Sequence, residues 1–233
     1  MMITIDTSKR LGAMGTTSNF LVKVDLPYNS NFDSVALIEA QLPKAWHMIA
    51  LPENYFNLNA VNLFFTEGSY TIDTFAVELK KQLDSAGPAV FTVVFNYVTW
   101  KWEITVDTGN PSILLGDTPV LARMLGMAVD STNVFVGSKL VSTRTVDFNR
   151  HRTLTLTSEM ATNHTNSNVL HTFHTRGLVH GDVLTYRNND IERSAKTLAT
   201  ANSTVFVFTL EGDDNKPIEM NGVDWSFTIL CYK

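Results

Sequence analysis

The chain has 233 residues, of which 44% are hydrophobic, 18% charged and 10% aromatic, and its formal net charge is -5. Hydrophobicity at that level with little net charge excludes a disordered chain, and the acidic balance excludes a generic nucleic-acid binder, which needs clustered Lys and Arg against phosphate. The single cysteine, Cys231, excludes an intrachain disulfide framework and a multi-cysteine zinc site.

Residues 1–17 read as a flexible N-terminal arm, with Lys9-Arg10 set in a Gly- and Ser-bearing stretch, Ser8 to Ser18, able to order on a partner. Met1-Met2-Ile3-Thr4-Ile5-Asp6 lacks a basic region followed by a long apolar core, so the expectation is a protein that is not secreted, made in a reducing cytosolic or nuclear compartment. Strand-like alternation then dominates. Phe20, Val22, Val24 and Leu26 share one face against Asn19, Lys23 and Asp25, and Val35 to Leu42 is a second candidate.

Two helices interrupt the pattern. Asp73 is placed to cap a segment whose stripe is Ile72, Phe75, Ala76, Leu79 and Leu83, stopped by Gly87-Pro88. Val90 to Tyr97 and Trp100 to Val106 read as a hairpin, with Trp100, Trp102, Ile104 and Val106 on one core or interface face. Thr118-Pro119 opens a second helix through Leu121, Ala122 and Leu125, and Gly126 suits the left-handed residue after it.

Strands resume at Arg152 to Thr157, Val169 to Phe173, Val183 to Tyr186 and Val205 to Leu210. Both faces of the last are apolar, which predicts cover on both sides. The chain closes on Val223, Trp225, Phe227, Ile229 and Cys231, alternating with Asp224, Ser226 and Thr228. Core-like strands at both ends of the chain are what a Greek-key sandwich brings together. The expected fold is mainly β, an antiparallel jelly-roll β-sandwich forming a single domain over residues 18–233, with a small helix–hairpin–helix (α+β) insertion at about 68–130. A split into two domains near Asp130 is the alternative.

Chemistry-bearing motifs are sparse. His171-x-x-His174, with His180 beyond, is the one histidine cluster, but on a strand an i, i+3 pair points to opposite faces. There is no Gly-x-Ser-x-Gly elbow and no phosphate-binding loop. Cys231 lies on an apolar strand face, where a thiol is an inert hydrophobe. Glu211-Gly212-Asp213-Asp214-Asn215 lacks the spacing of a calcium loop and reads as a β-turn. Asn163-His164-Thr165 and Asn202-Ser203-Thr204 match the glycosylation sequon by chance if the chain is not secreted. Arg144, Arg150, His151 and Arg152 are the densest basic group, with Asp147 among them. The expectation is therefore no catalytic residue, no cofactor, no metal, no specific nucleic acid and no membrane span; no apolar run reaches the ~20 residues a spanning helix needs.

Dispersed landmarks carry a resemblance. Gly15 and Ser18-Asn19-Phe20 open the first core strand, and Ile38-Glu39-Ala40-Gln41-Leu42-Pro43-Lys44-Ala45-Trp46-His47-Met48-Ile49 follows a strand, proline, aromatic, aliphatic order. Gly68-Ser69-Tyr70-Thr71-Ile72 enters the first helix, Leu125-Gly126-Met127 leaves the second, and Asn221-Gly222-Val223-Asp224-Trp225-Ser226-Phe227-Thr228 opens the closing strand. Together these resemble the single-jelly-roll penton, or minor capsid, proteins of virophages and polinton-like viruses. Two features depart: Val169-Leu170-His171-Thr172-Phe173-His174 lacks the proline of that family's pattern, and the chain is short for a large additional projecting domain. The resemblance implies a non-enzymatic virion component, pentameric, contacting the double-jelly-roll major capsid protein. Two other classes stay open: a viral attachment or glycan-binding jelly roll, and a sandwich metalloenzyme using His171, His174 and an acidic partner.

Overall fold

The structure, a computed structural model, describes residues 1–11, 15–26, 31–162, 168–199 and 204–233. Strand β1 (Met2–Asp6) leads through a 3-10 turn, Thr7–Lys9, to β2 (Gly15–Thr16), β3 (Asn19–Lys23) and β4 (Ser34–Pro43). Next come β5 (Tyr55–Leu58), β6 (Val61–Phe64), helix α1 (Ile72–Ser85), β7 (Phe91–Asn96), β8 (Lys101–Val106), β9 (Ser112–Leu115), helix α2 (Pro119–Leu125), β10 (Ser131–Val134) and β11 (Lys139–Val141). The chain finishes with β12 (Thr153–Ser158), β13 (Ala161–Thr162), β14 (Val169–His174), β15 (Val183–Arg187), the short helix α3 (Ile191–Ser194), β16 (Lys196–Leu198), β17 (Val205–Glu211) and β18 (Ser226–Tyr232). Contacts divide these elements into two compact units, Met1–Trp46 with His151–Lys233, and His47–Arg150.

The first unit is a jelly-roll β-sandwich of two antiparallel sheets. One runs β1-β18-β4-β16-β13, with β15 also on β4; the other runs β14-β12-β17-β3-β2. Ten-residue β4 is long enough to take β16 at its start and β15 at its end while β18 pairs with it from Ser34 to Gln41. Period-two sequences turn one face of each sheet inward. Phe20, Leu154, Leu156, Phe206, Phe208 and Leu210 from one sheet share a buried cluster with Ile5, Val35, Leu37, Leu42, Phe227 and Ile229 from the other. Phe208 meets Phe227 across the two sheets at 5.2 Å between ring centroids.

Three expectations for this unit differ from the structure. Residues 1–17 are not an arm where they are described: β1 pairs with β18 from Met2↔Leu230 to Asp6↔Ser226, and Ile5 is buried. The cause is that the edge of β18 needs a partner and Ile5 meets an apolar face there. The β17 strand is fully buried on one side only, because Val205 and Val207 are half-exposed on the other. Val223 does not join the core alternation, since Asn221 and Gly222 take left-handed φ values of 50° and 74° and turn the chain just before β18.

The second unit carries a four-stranded sheet, β10-β9-β5-β6, and a three-stranded one, β11-β8-β7, with α1 and α2. It has its own buried cluster, including Phe56, Phe75, Leu79, Trp102, Ile113 and Leu121. Its span, His47–Arg150, is wider than the expected 68–130. The extra strands are three or four residues long, and the β5–β6 turn places Asn59 and Ala60 at φ 48° and 69° without the glycine that usually marks such a turn. Thr71, not Asp73, caps α1: its hydroxyl accepts from the Thr74 N–H while Thr74 reaches back to the Thr71 N–H, a reciprocal box. The second helix ends as expected, with Gly126 at φ 62°; a Cβ there would strike the Arg144 carbonyl.

Candidate functional site

The sandwich holds the histidines that invite a metal reading. On β14, His171 shares the inner face with Phe173, and its ring lies 4.0 Å from that of Tyr186 on β15. His174 is exposed. The two imidazoles thus leave opposite faces of the strand. Among the described residues no group of three His, Cys, Asp or Glu side chains is placed to hold a metal ion.

Burial pushes the His171 pKa down, and the charges of Lys196 on β16 and of His174 act in the same direction. The folded chain therefore binds this proton less readily than the unfolded chain does. Its contribution to stability is complete above the ordinary histidine value of ~6.5 and declines as pH falls below it. Urea midpoints measured from pH 7.5 down to 5 are expected to fall, and His171→Phe is expected to flatten that slope.

Other ionisable groups are engaged in holding loops. His151 is buried, and its Nδ1 lies 2.9 Å from Asp213 Oδ1, while Asp213 Oδ2 accepts the Arg152 N–H at 3.2 Å. Burial raises the Asp213 carboxyl, but these hydrogen bonds outweigh it and hold the group below its ordinary value. The acidic segment is a turn, closed by the Gly212 N–H on the Lys216 carbonyl. Lys44, also buried, donates from Nζ to the Leu178 carbonyl at 2.5 Å, and burial pushes its pKa down against the pull of Asp182. Cys231 is buried, which raises its thiol pKa. Of the basic group, Arg144 and Arg150 belong to the inserted unit, and His151 and Arg152 to the sandwich. The sequon at Asn163 lies outside the described residues, as do Asn202 and Ser203 of the second.

The exposed faces of the two units differ in character. The outer face of the β14-β12-β17-β3 sheet is mixed: Thr172 and Thr155 hydroxyls lie 3.4 Å apart and Thr209 donates to Asn19 at 3.4 Å, while Glu211, Val207, Leu21 and Lys23 share that face. The inserted unit is more apolar outside. Its four-stranded sheet shows Phe64, Leu114 and Val134 outward, with Tyr55 against Phe64. The β7–β8 turn exposes Tyr97, Val98 and Trp100. The alternation rule places Trp100 with Trp102 on a core face, but β8 begins only at Lys101, so Trp102 is buried and Trp100 sits in the turn. A four-residue turn, Tyr97-Val98-Thr99-Trp100, with three large apolar side chains and no Gly or Pro is the signal that could have found this surface.

No protein family model and no curated protein matches the chain. Among solved structures, the fold matches the crystal structure of the selenomethionine-labelled mavirus penton protein with a TM-score of 0.54. That likeness covers 99% of this chain and 97% of the other at 8% sequence identity. The two chains share a fold; function has to be argued from surfaces and sites. No helix among the described residues is long and apolar enough to cross a membrane.

Proposed function

We propose that this chain is a structural viral capsid protein, a penton or minor capsid subunit that forms homopentamers at icosahedral vertices and contacts double-jelly-roll major capsid proteins. The observation that carries the reading is the likeness to a penton protein over nearly the full length of both chains, insertion included. A closed ring needs heterologous interfaces, each copy offering two different patches, and obligate interfaces bury more than ~2,000 Å² of comparatively apolar surface. The Thr- and Asn-bearing outer face of the sandwich and the apolar side chains exposed on the inserted unit suit that use. In this reading the protein works in the virion without catalysis, cofactor or specific nucleic acid, and is made in the host cytoplasm or nucleus.

Imaging of particles that carry a density-labelled version of the chain tests the proposal. Five labels around each vertex are expected. Absence from the shell, or a position on another symmetry axis, overturns it. One observation favours a second reading, a viral attachment or glycan-binding module: the exposed aromatic pair Tyr97 and Trp100 is the kind of surface on which sugars stack. A glycan array decides that alternative.

A further inference from the structure

One stretch of the sandwich is bound without being buried. No residue from 176 to 197 lies fully inside, although Thr175 and Leu198 at its two ends do. The stretch holds the loop after β14, strand β15, helix α3 and the start of β16. Of its apolar side chains, Leu184 and Tyr186 pack partly against the core. Hydrogen bonds supply the other ties. β15 pairs with β4 alone, from Val183↔Pro43 to Arg187↔Glu39. The Lys44 N–H donates to the Asp182 carbonyl at 2.7 Å, its ammonium donates to the Leu178 carbonyl, and the Asn188 amide donates to the Leu37 carbonyl at 2.8 Å. A strap with an exposed ladder and few buried apolar contacts opens more readily than the fold that carries it.

Tyr186 is where the strap meets the opposite sheet. β15 lies at the edge of one sheet and β14 at the edge of the other, and their inner faces close one side of the sandwich. There the Tyr186 ring lies 4.0 Å from the His171 imidazole, tilted by 35°, and 5.7 Å from Phe173, edge-on. A titratable ring thus stands where alternation with Phe173 calls for an apolar one. Among the described residues nothing hydrogen-bonds to its nitrogens. The charges that act on it are both positive. Lys196, at the start of β16, sits opposite the buried Val35 and so on the inner face, and His174 follows on β14 itself. No carboxylate of the described residues offsets them. Glu39 and Arg187 stand opposite one another on the outer face of β4 and β15, and β12 carries no ionisable side chain.

We infer that His171 is the sensor of an acid-released latch: protonation of its imidazole detaches Tyr186 and lets residues 176–197 come off β4 while the rest of the sandwich stays folded. Opening frees the backbone groups of β4 from Glu39 to Pro43, an edge able to accept an added strand. It also returns the imidazole to water, where a proton binds at the ordinary value of ~6.5, so closure weakens as pH falls below that value. Between pH 7.5 and pH 5 one such group shifts the opening equilibrium by at most about thirtyfold.

Hydrogen–deuterium exchange of the full chain at pH 7.5 and pH 5, corrected for intrinsic rates and read by mass spectrometry, tests the latch. Amides of 183–187 are expected to be at least tenfold less protected than those of β17 and β18 at both pH values. Their protection is expected to fall about five- to thirtyfold at pH 5. His171→Phe and His171→Gln each remove that fall, whereas His180→Gln, in the exposed loop of the strap, keeps it. Protection of the strap equal to that of β17 and β18 overturns the separate opening. A fall that survives both His171 variants, or one that His180→Gln removes, overturns the sensor. Protection that rises in acid overturns it as well, since an imidazolium held on the Tyr186 face would tighten the strap.

Discussion

Replacing Trp102 with alanine is expected to destabilise the protein by about 4 kcal/mol, the scale of a large aromatic removed from a packed core. Trp102 is fully buried on β8 and meets Phe95 at 4.8 Å, Phe75 at 5.5 Å and Phe148 at 6.4 Å between ring centroids. Its indole N–H donates to the Met124 carbonyl at 2.8 Å, which ties the strand to the end of α2. Its backbone N–H is 3.1 Å from the Ser142 hydroxyl, which itself donates to Leu125 at 2.6 Å. Alanine leaves a cavity and an orphaned carbonyl together. Trp102→Phe retains most of the ring volume and loses the hydrogen bond, so about 1–2 kcal/mol is expected. Trp100→Ala, two residues earlier, is expected to cost about 1 kcal/mol or less, since the side chain is half in water and its ring stands at the edge of Phe95. Urea denaturation followed by fluorescence measures all three, and equal effects at the two tryptophans would refute the assignment of one to the core and the other to the turn.

Ile5→Asp is expected to have an effect of similar size, about 4 kcal/mol. Of this, roughly 2–3 kcal/mol is lost apolar burial, and the remainder comes from placing a carboxyl among hydrophobic side chains with no partner. Ile5 is 2% exposed and sits opposite Phe227. The segment is tied down just beyond it: Thr7 N–H donates to the Trp225 carbonyl at 3.0 Å, the Thr7 hydroxyl donates to Asp224 at 2.9 Å, and the Trp225 indole N–H donates to the Thr17 carbonyl at 2.6 Å. Met2→Asp, at an exposed position of the same strand, serves as the control and is expected to be nearly neutral. If residues 1–17 behaved as a flexible arm, both variants would melt alike.

These paired substitutions mark where local pattern succeeds and where it fails. Within a strand or a helix the pattern is sound. Phe20, Trp102 to Val106 and the apolar residues Phe227, Ile229 and Cys231 pack as their alternation expects, and α1 buries Phe75, Leu79 and Leu83 from the expected stripe; in β4 a register shift against β18 breaks the period, with Val35, Ala36 and Leu37 buried in a row. Each element's own backbone geometry sets which side chains share a face, and that geometry is written in neighbouring residues. At element ends the pattern misleads. Trp100 continues the period of β8 but lies beyond the strand, and Val223 continues that of β18 but precedes it. In both cases a left-handed residue redirects the chain, at Trp100 itself and at Asn221, with no proline to announce it.

The exposed β7–β8 turn was not legible for a different reason. Apolar residues in a sequence are assigned to a core by default, and only the packed unit shows which of them stay exposed to water.

By itself, the order of residues determined that this protein is mainly β, where its two longer helices lie, and that no familiar catalytic or phosphate-binding motif is present, because those properties depend on side chains a few positions apart. The tertiary structure alone decided that the first strand lies against the last, that the inserted unit reaches from His47 to Arg150, and which aromatic residues face water. Pairing and burial depend on which distant faces exclude water from one another, and a period of two is the same whichever partner a strand meets.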